Sequence, residues 1–214
     1  MTRKEKFTHI INYFKKLMPE VKSELKYSNP YELVVAVILS SQCTDKRVNQ
    51  ITPHFFKKFP NFLSLAKASY KDIYELIKSC SYPNNKTRYL INVAKIIIEK
   101  YNGLLPDEVD ELMKLPGLGR KSANVIASIL FNKPVIAVDT HVHRVSNRIG
   151  LTKNAKTPIE TEKQLYKYVT PELRPSMHHW LVLHGRYICK AKNPYCKECG
   201  INKYCDFFNS NYMK

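Results

Sequence analysis

The segment Leu115–Lys121 reads Leu-Pro-Gly-Leu-Gly-Arg-Lys, a turn with two glycines followed at once by two basic residues. Gly117 and Gly119 carry no Cβ, so the backbone N–H groups of such a turn can approach a phosphate closely. A helix predicted to begin at Arg120 adds the partial positive charge of its N-terminus to the same anion site. The segment therefore favours a contact with a nucleic acid backbone, although a compact helix connection without a ligand has the same features.

Lys121 lies in the first turn of that predicted helix. The helix dipole disfavours an ammonium there, and partial burial of the side chain would disfavour it further. Both effects raise the fraction of free amine, the form that attacks an electrophilic carbon and forms a Schiff base. A simple phosphate contact is the alternative role, so Lys121 is a candidate nucleophile whose assignment depends on its neighbours.

A carboxylate follows eighteen residues later, in the run Val138-Asp139-Thr140-His141. Asp139 is predicted to cap the N-terminus of a helix, an ordinary structural role for aspartate. The same carboxylate is also suited to stabilise a cationic transition state at a sugar C1′, and the two roles are compatible. His141 and His143 are two residues apart and point to different faces of a helix, so they are not expected to share a metal ion.

Four of the six cysteines are concentrated near the end of the sequence, with six, two and five residues between them: Cys189, Cys196, Cys199 and Cys205. Zinc knuckles usually show two close pairs, whereas only one close pair is present here. Four thiolates in a compact loop suit a [4Fe–4S] cluster, with zinc as the chemical alternative and disulfides as the poorer one. Lysines such as Lys192 surround the loop, where they suit either DNA phosphates or an acidic electron-transfer partner. Cys43 and Cys80 lie outside it and are expected to be buried or half-buried small hydrophobic residues.

The composition favours a polyanionic partner. Lys and Arg total 35 against 18 Asp and Glu, which leaves a formal net charge of +17. Such an excess favours nucleic acids through phosphate neutralisation, although a generally basic composition is the alternative. The sequence contains no apolar stretch long enough to span a membrane, and its N-terminus predicts an amphipathic helix rather than a signal peptide. We therefore expect an intracellular protein, in the cytoplasm or nucleoid if it is bacterial, without a membrane partner.

The spacing of apolar residues predicts helices nearly throughout, so the expected fold class is all-α. One predicted helix begins at Pro30, and two others cover residues 120–131 and about 176–188. Four more are predicted from the residues that cap their N-termini: Asp72, Asn84 or Asn85, Asp107 and Asp139. The helix that begins near Asn84 is expected to stop at Asn102-Gly103. The apolar run Val135–Val138 could be mistaken for a strand, but no nearby segment offers a partner.

Taken together, the segments Leu115–Lys121 and Val138–His141 and the cysteine spacing strongly resemble endonuclease III, a family of bifunctional DNA glycosylase/AP lyases of the helix–hairpin–helix superfamily. The resemblance covers nearly the whole chain, from about Leu39 to Cys205. It implies a six-helix barrel domain at residues 23–133, with the helix–hairpin–helix at about 108–131. It also implies a helical iron–sulfur cluster domain formed by residues 1–22 and 134–214, with one [4Fe–4S] cluster in the loop 189–205.

The resemblance further implies a reaction on duplex DNA that carries an oxidised pyrimidine or an abasic site. We expect a monomer, because a two-domain clamp on one lesion needs no symmetry. Lys121 would attack C1′ of the extruded nucleotide while Asp139 stabilises the positive charge, and a Schiff base would lead by β-elimination to cleavage on the 3′ side. Gln42 would fill the gap left by the nucleotide. The DNA contacts expected on this basis are Gln42, Tyr82, Gly117, Gly119, Arg120, His141 and Lys192.

One loop departs from the family pattern. Where better-known members place aliphatic side chains around a glycine, this chain has Cys80, Ser81 and Tyr82. Tyr82 is suited to stack on bases, or alternatively to pack under the following helix, which leaves the choice of lesion open. The rival functions are an adenine-specific mismatch glycosylase, which lacks the hairpin lysine, a non-catalytic helix–hairpin–helix protein and a ferredoxin-like electron carrier.

Overall fold

A computed structural model describes residues 1–212, and none of these residues belongs to a β-strand. The predicted all-α class is therefore confirmed for the part of the chain that the structure describes. The chain divides into two compact units. We call Ser23–Lys133 the central unit, and Met1–Lys22 together with the chain from Pro134 onward the terminal unit.

Helices are numbered in chain order. The terminal unit contains α1 (Arg3–Leu17), α9 (Thr140–Ile149), α10 (Pro158–Tyr166), α11 (Arg174–Tyr187) and α12 (Asp206–Tyr212), with short 3₁₀ turns at Pro171–Leu173 and Asn202–Tyr204. The central unit contains α2 (Pro30–Ser40), α3 (Asp45–Lys58), α4 (Phe62–Ala66), α5 (Tyr70–Ile77), α6 (Pro83–Tyr101), α7 (Val109–Met113) and α8 (Arg120–Phe131).

Helix α2 lies in the core of the central unit. Every residue from Leu33 to Leu39 is at most 2% exposed, and the helix contacts α3, α6 and α8. A helix that is apolar on all sides is stable only where other elements surround it. Asn29 caps its start by accepting a hydrogen bond from the Glu32 N–H at 3.0 Å, and Pro30 occupies the first helical position. The C-terminal end of α2 is therefore fixed by the packing of three neighbours.

The core of the terminal unit joins α1 to α9 and α11. Phe7, Ile10 and Phe14 repeat at spacings of three and four, and all three are buried against residues that include Trp180. The predicted amphipathic helix at the N-terminus is thus confirmed. The Trp180 indole Nε1–H also donates to the Met18 carbonyl at 2.9 Å, which satisfies the polar edge of a ring that is only 1% exposed.

Three of the predicted helix caps are wrong. Ser69 rather than Asp72 caps α5, because the Ser69 hydroxyl accepts the Asp72 N–H at 3.1 Å and leaves Asp72 inside the first turn. Helix α6 begins at Pro83, one residue before Asn84, since proline is well suited to the first helical position. Helix α7 begins after Glu108 rather than at Asp107, without a side-chain cap.

Other predicted boundaries are close to those observed. Helix α8 covers residues 120–131 as predicted. Helix α6 ends at Tyr101, and Asn102 follows as its C-cap in the left-handed conformation. The helix predicted at about 176–188 begins two residues earlier and ends one residue earlier, as α11. The prediction did not include α4, α10 or α12, which are each nine residues or shorter.

The apolar run Val135–Val138 has no regular secondary structure and pairs with no strand. Its backbone groups bind side chains instead: the Ile136 N–H donates to the Tyr166 hydroxyl at 3.3 Å, and His178 Nδ1 lies 2.6 Å from the Ala137 carbonyl oxygen. Buried polar backbone groups need such partners, so this segment leads from the central unit into α9 without a sheet. Across residues 1–212, no helix combines the length and the apolar character required to cross a membrane.

Candidate functional site

The hairpin between α7 and α8 is held by buried leucines on either side of Gly117. Leu115 and Leu118 are 2% and 3% exposed, and the Leu118 N–H donates to the Leu115 carbonyl at 3.1 Å. Gly117 has a φ of +82°, and a Cβ added there would lie 2.7 Å from Cδ2 of Tyr89. Both the backbone conformation and the Tyr89 ring therefore require glycine at position 117.

Gly119 has a different environment. Its φ of −84° suits any residue, and an added Cβ would meet no atom within 4 Å. As the N-cap of α8 it supplies no side-chain hydrogen bond, so the first N–H groups of the helix are not satisfied by a capping side chain. Nothing within the described protein requires glycine here, and the bare N-terminus of α8 is suited to bind an anion.

Lys121 projects from the first turn of α8 and is exposed, as is Arg120. The partial burial considered from the sequence is therefore absent, and the side chain is accessible to a large substrate. Asp139 belongs to the terminal unit and is half-buried. Its carboxylate accepts a hydrogen bond from the Val142 N–H at 2.8 Å, which confirms the predicted N-cap of α9.

The histidines that follow Asp139 have separate partners. His141 Nδ1 lies 3.2 Å from an Arg144 guanidinium nitrogen, whereas His143 Nδ1 lies 2.7 Å from the Thr161 hydroxyl. The two rings thus point to different faces of α9, as their spacing predicts. His141 also packs against Gly185 of α11, where an added Cβ would lie 3.0 Å from the His141 Cβ.

All four C-terminal cysteines are free thiols that line one partly open cavity. The remaining walls are largely apolar and include Ile149, Ile188, Phe207 and Phe208. Burial raises the pKa of the Cys199 thiol to about 11, and it also raises the pKa of the Cys196 and Cys205 thiols. Metal binding would therefore have to displace these protons. Burial lowers the pKa of His184 to about 4, so the neutral ring lies beside Cys199, with its Nε2 3.6 Å from the sulfur.

The donor set in this cavity is four thiols, a set that suits an iron–sulfur cluster. Among residues 1–212, no group of three or more His, Cys, Asp or Glu side chains stands in the geometry that one metal ion requires. A structural zinc needs four sulfurs about 2.3 Å from one point, whereas each thiolate of a [4Fe–4S] cubane binds a different iron.

Two arginines of α9 hold the loop that carries these cysteines, residues 189–205, which we call the cysteine loop. Arg144 donates to the carbonyls of Gly185 and Cys189 at 2.9 and 3.1 Å. Arg148 donates to the carbonyls of Lys190 and Ala191 at 2.7 and 3.0 Å, and its guanidinium lies over the Phe207 ring. Neither role was predicted from the sequence, because a spacing of four places the two arginines on one face of a helix but does not reveal which distant loop they bind.

The surface of the cysteine loop is basic. Lys192, Lys197 and Lys203 are exposed. The Lys190 ammonium lies 4.4 Å from the centroid of the Tyr195 ring and donates to the Tyr195 hydroxyl at 3.1 Å. This arrangement leaves Lys192 available to a polyanion.

In the central unit two loops with strained backbones meet. Gln42 and Tyr82 have φ values of +52° and +55°, in the left-handed region of backbone conformation that residues other than glycine rarely adopt. The Ser81 hydroxyl donates to the Gln42 carbonyl at 2.7 Å and joins the loops. Gln42 is exposed and Tyr82 is 61% exposed, so the alternative in which Tyr82 packs under the following helix is wrong.

A buried lysine fixes the first of these loops. The Lys86 side chain is almost inaccessible, with the residue 3% exposed, and its ammonium donates to the carbonyls of Leu39 and Ser41 at 2.7 and 2.8 Å. These carbonyls end α2, where a positive charge is favourable. Burial lowers the pKa of Lys86. This role was not predicted, because nothing in the sequence around Lys86 distinguishes it from an exposed lysine.

An all-α chain with a glycine hairpin, a lysine directly after it and a four-cysteine cavity has the features of a helix–hairpin–helix repair glycosylase. The family model described as HhH-GPD superfamily base excision DNA repair protein matches residues 35–171. Endonuclease III of Rickettsia felis is 42% identical over 201 residues, 94% of each chain, and that of Bacillus subtilis is 44% identical over 189 residues, 88% of this chain and 86% of the relative.

Solved structures agree with these matches. A trapped covalent intermediate of endonuclease III with DNA is 38% identical, covers 100% of both chains and superposes with a TM-score of 0.94. A thermostable thymine-DNA glycosylase, at 23% identity and a TM-score of 0.83, shares the fold. The chain belongs to the endonuclease III family. It is a base excision repair enzyme that combines DNA glycosylase and AP lyase activity.

The two hairpin glycines are expected to respond differently to substitution. Gly117→Ala should destabilise the protein by about 1–2 kcal/mol from the left-handed backbone alone, and the contact with Tyr89 adds to this loss. Gly119→Ala, the matched control, should change stability by less than about 0.5 kcal/mol, since a better backbone preference and a poorer N-cap oppose each other. Urea denaturation followed by circular dichroism measures both. Equal losses in the two variants would contradict the distinction.

Proposed function

We propose that this enzyme removes oxidised pyrimidines from duplex DNA, with the Lys121 amine as the nucleophile of both its activities. The proposal rests mainly on the position of Lys121. This lysine is exposed in the first turn of α8, directly after a hairpin in which Gly119 has open space where its Cβ would be. A relative that is 38% identical over the full chain forms a covalent intermediate with DNA, which requires a protein nucleophile.

The proposed reaction has three steps. The target nucleotide leaves the base stack, which exposes C1′ of its deoxyribose. The Lys121 amine forms a bond to C1′ as the bond to the base breaks, and the opened sugar becomes a Schiff base on Lys121. Loss of a proton from C2′ then expels the phosphate oxygen at C3′, which cuts the strand on the 3′ side. An abasic site enters at the Schiff-base step.

Asp139 is proposed to stabilise the positive charge that develops as the base departs. The carboxylate is held by its hydrogen bond to the Val142 N–H and is half-buried, so its orientation is fixed before substrate arrives. A fixed charge requires no reorganisation when the transition state forms. The capping role and the catalytic role use the same carboxylate.

The remaining predicted contacts are proposed to position the duplex, which a monomer can bind without a symmetric partner. The N–H groups that follow Gly119 would bind a phosphate, with the Arg120 side chain beside them, and Gly117 would let the hairpin backbone come close to the same phosphate. Gln42 would fill the gap left by the extruded nucleotide, and the exposed Tyr82 ring would stack on a neighbouring base. His141 and Lys192 complete the set. Their half-buried and exposed positions suit a fixed contact and a phosphate contact respectively.

The cysteine cavity is proposed to hold one [4Fe–4S] cluster through Cys189, Cys196, Cys199 and Cys205. When bound, the cluster would cross-link a loop that the described structure otherwise holds through short-range turns and the hydrogen bonds of Arg144 and Arg148. The chain's own residues then keep Lys192 and its neighbours in place on the surface. No step of the reaction proposed here passes through the cluster.

Lys121 is tested by trapping. Wild-type protein incubated with a duplex that contains thymine glycol or an abasic site, then treated with borohydride, should give a covalent protein–DNA adduct. Lys121→Ala and Lys121→Arg should both lose the adduct, because neither side chain forms a Schiff base. Lys121→Arg keeps the positive charge and should still bind the duplex, whereas Lys114→Ala, on a nearby exposed lysine, should trap normally. An adduct in Lys121→Arg would show that another residue is the nucleophile.

Asp139 is tested by separating its two roles. Asp139→Asn keeps a good N-cap, so its stability should match that of the wild type, whereas its base-removal rate should fall about 100-fold or more. Asp139→Ala loses the cap as well and should be destabilised by about 1 kcal/mol. Single-turnover release of thymine glycol and thermal denaturation provide the two measurements. A wild-type rate in Asp139→Asn would leave Asp139 as a cap alone.

The cluster is tested by colour and metal content. Purified protein should be brown, with broad visible absorbance and four irons per chain, as expected for a thiolate-bound cubane. Cys199→Ser should lose both colour and iron, whereas Cys80→Ser, outside the cysteine loop, should retain them. A colourless protein that contains stoichiometric zinc would contradict the assignment.

A further inference from the structure

The two cysteines outside the cysteine loop lie where the strained loops of the central unit meet. Cys43 follows Gln42 and Cys80 precedes Ser81, and the Ser81 hydroxyl is bonded to the Gln42 carbonyl at 2.7 Å. Each cysteine closes a turn of its own, because the Cys43 N–H donates to Ser40 and the Cys80 N–H to Ile77, at 3.1 and 2.8 Å. The two residues therefore flank the point at which the loops touch.

The two thiols lie close enough to influence each other. The Cys43 thiol contributes to the raised pKa of Cys80, and both sulfurs interact electrostatically with the Lys86 ammonium. Cys80 is 4% exposed, and burial raises the pKa of its thiol to about 11. Cys43 is only half-buried, so it is the member of the pair that a small reagent reaches first.

Neither thiol has a role in the reaction described above. A lone buried cysteine is adequately explained as a small hydrophobic residue, as the sequence analysis expected. Two neighbouring thiols on adjacent loops, one accessible and one enclosed, with a cation beside them, match instead the arrangement of an attacked and a resolving cysteine. Where thiols are normally kept reduced, disulfides that do form are transient, catalytic or redox-sensing.

We propose that Cys43 and Cys80 form a reversible modification site, in which a peroxide converts them to an intramolecular disulfide that ties the Gln42 loop to the Tyr82 loop. The Cys43 sulfur attacks the peroxide: an S–O bond forms, the O–O bond breaks, and the departing oxygen leaves as water. The Cys80 sulfur then attacks Cys43, so that an S–S bond forms and the S–O bond breaks. The second oxygen leaves as water with the Cys80 proton, and two thiol equivalents reverse the change.

The disulfide has a consequence for DNA, which rests on the proposed roles of Gln42 and Tyr82. The two sulfurs must approach to about 2.05 Å to form a disulfide, so closure pulls the two loops together and restrains their independent movement. Two side chains that enter a base stack from adjacent loops need their relative position preserved, and a displacement of about 1 Å can reduce a rate 10²-fold. The oxidised enzyme should therefore act on a lesion more slowly than the reduced one.

The test begins with a peptide map of intact, cluster-containing protein after treatment with hydrogen peroxide and alkylation of the remaining thiols. Trypsin releases Cys43 in residues 27–46 and Cys80 in residues 79–86, while the four cysteines of the cysteine loop fall in other peptides. The expected result is a linked pair of these two peptides that dithiothreitol separates. Its absence, or links only among the peptides of the cysteine loop, would overturn the proposal whatever the activity of the enzyme.

The second arm compares cleavage of a thymine glycol duplex before and after peroxide. Wild-type protein should slow by about 10-fold or more and recover with dithiothreitol. Cys43→Ala and Cys80→Ala, which retain the cysteine loop, should show neither the linked peptides nor the recoverable loss. A loss of equal size in Cys43→Ala would trace the effect to the cluster and contradict control by the loops. A linked wild-type protein of unchanged rate would also contradict it.

Discussion

The carbonyl groups of the cysteine loop depend on two arginines one turn apart on α9. Arg144 and Arg148 between them donate to Gly185, Cys189, Lys190 and Ala191. A loop needs such partners, because its carbonyls lack the backbone hydrogen bonds that a helix or a sheet provides. Helix α9 is ten residues long, or about 15 Å, and Asp139 caps its other end. A single short helix therefore fixes both the candidate carboxylate and the loop that surrounds the cysteine cavity.

The central unit follows the same principle with a lysine. Helix α2 is buried among α3, α6 and α8, and the carbonyls at its C-terminal end accept hydrogen bonds from the Lys86 ammonium. Lys86 itself belongs to the first turn of α6, the helix that begins directly after Tyr82. The end of one helix is thus tied to the start of another, and the loops that carry Gln42 and Tyr82 are anchored on the same buried charge. Their left-handed backbones are strained conformations that this packing sustains.

Much of the site could be predicted because its signals are local. The boundaries of α8 follow from a glycine before Arg120 and from the apolar run after it, and the Asp139 cap follows from its residue type. The roles of Arg144, Arg148 and Lys86 could not be predicted, since each binds carbonyls roughly forty residues away in sequence. The predicted cap at Asn84 failed for a related reason. Asparagine is a strong cap by propensity, but Pro83 begins the helix and leaves Tyr82, a poor capping residue, at the boundary.

The two glycines of the hairpin serve different requirements, one of the fold and one of ligand binding, which the sequence motif does not distinguish. Gly117 and Gly119 look equivalent in the sequence, and both were expected to let backbone approach a phosphate. In the fold, the positive φ at position 117 and the nearby Tyr89 ring both require glycine there, so the hairpin would need Gly117 even without a ligand. Gly119 has an ordinary backbone and open space where its Cβ would be. A glycine that the protein does not need for folding is best explained by what approaches it from outside. The N-terminus of α8 has no side-chain cap, and the DNA phosphate proposed to bind there would account for this glycine.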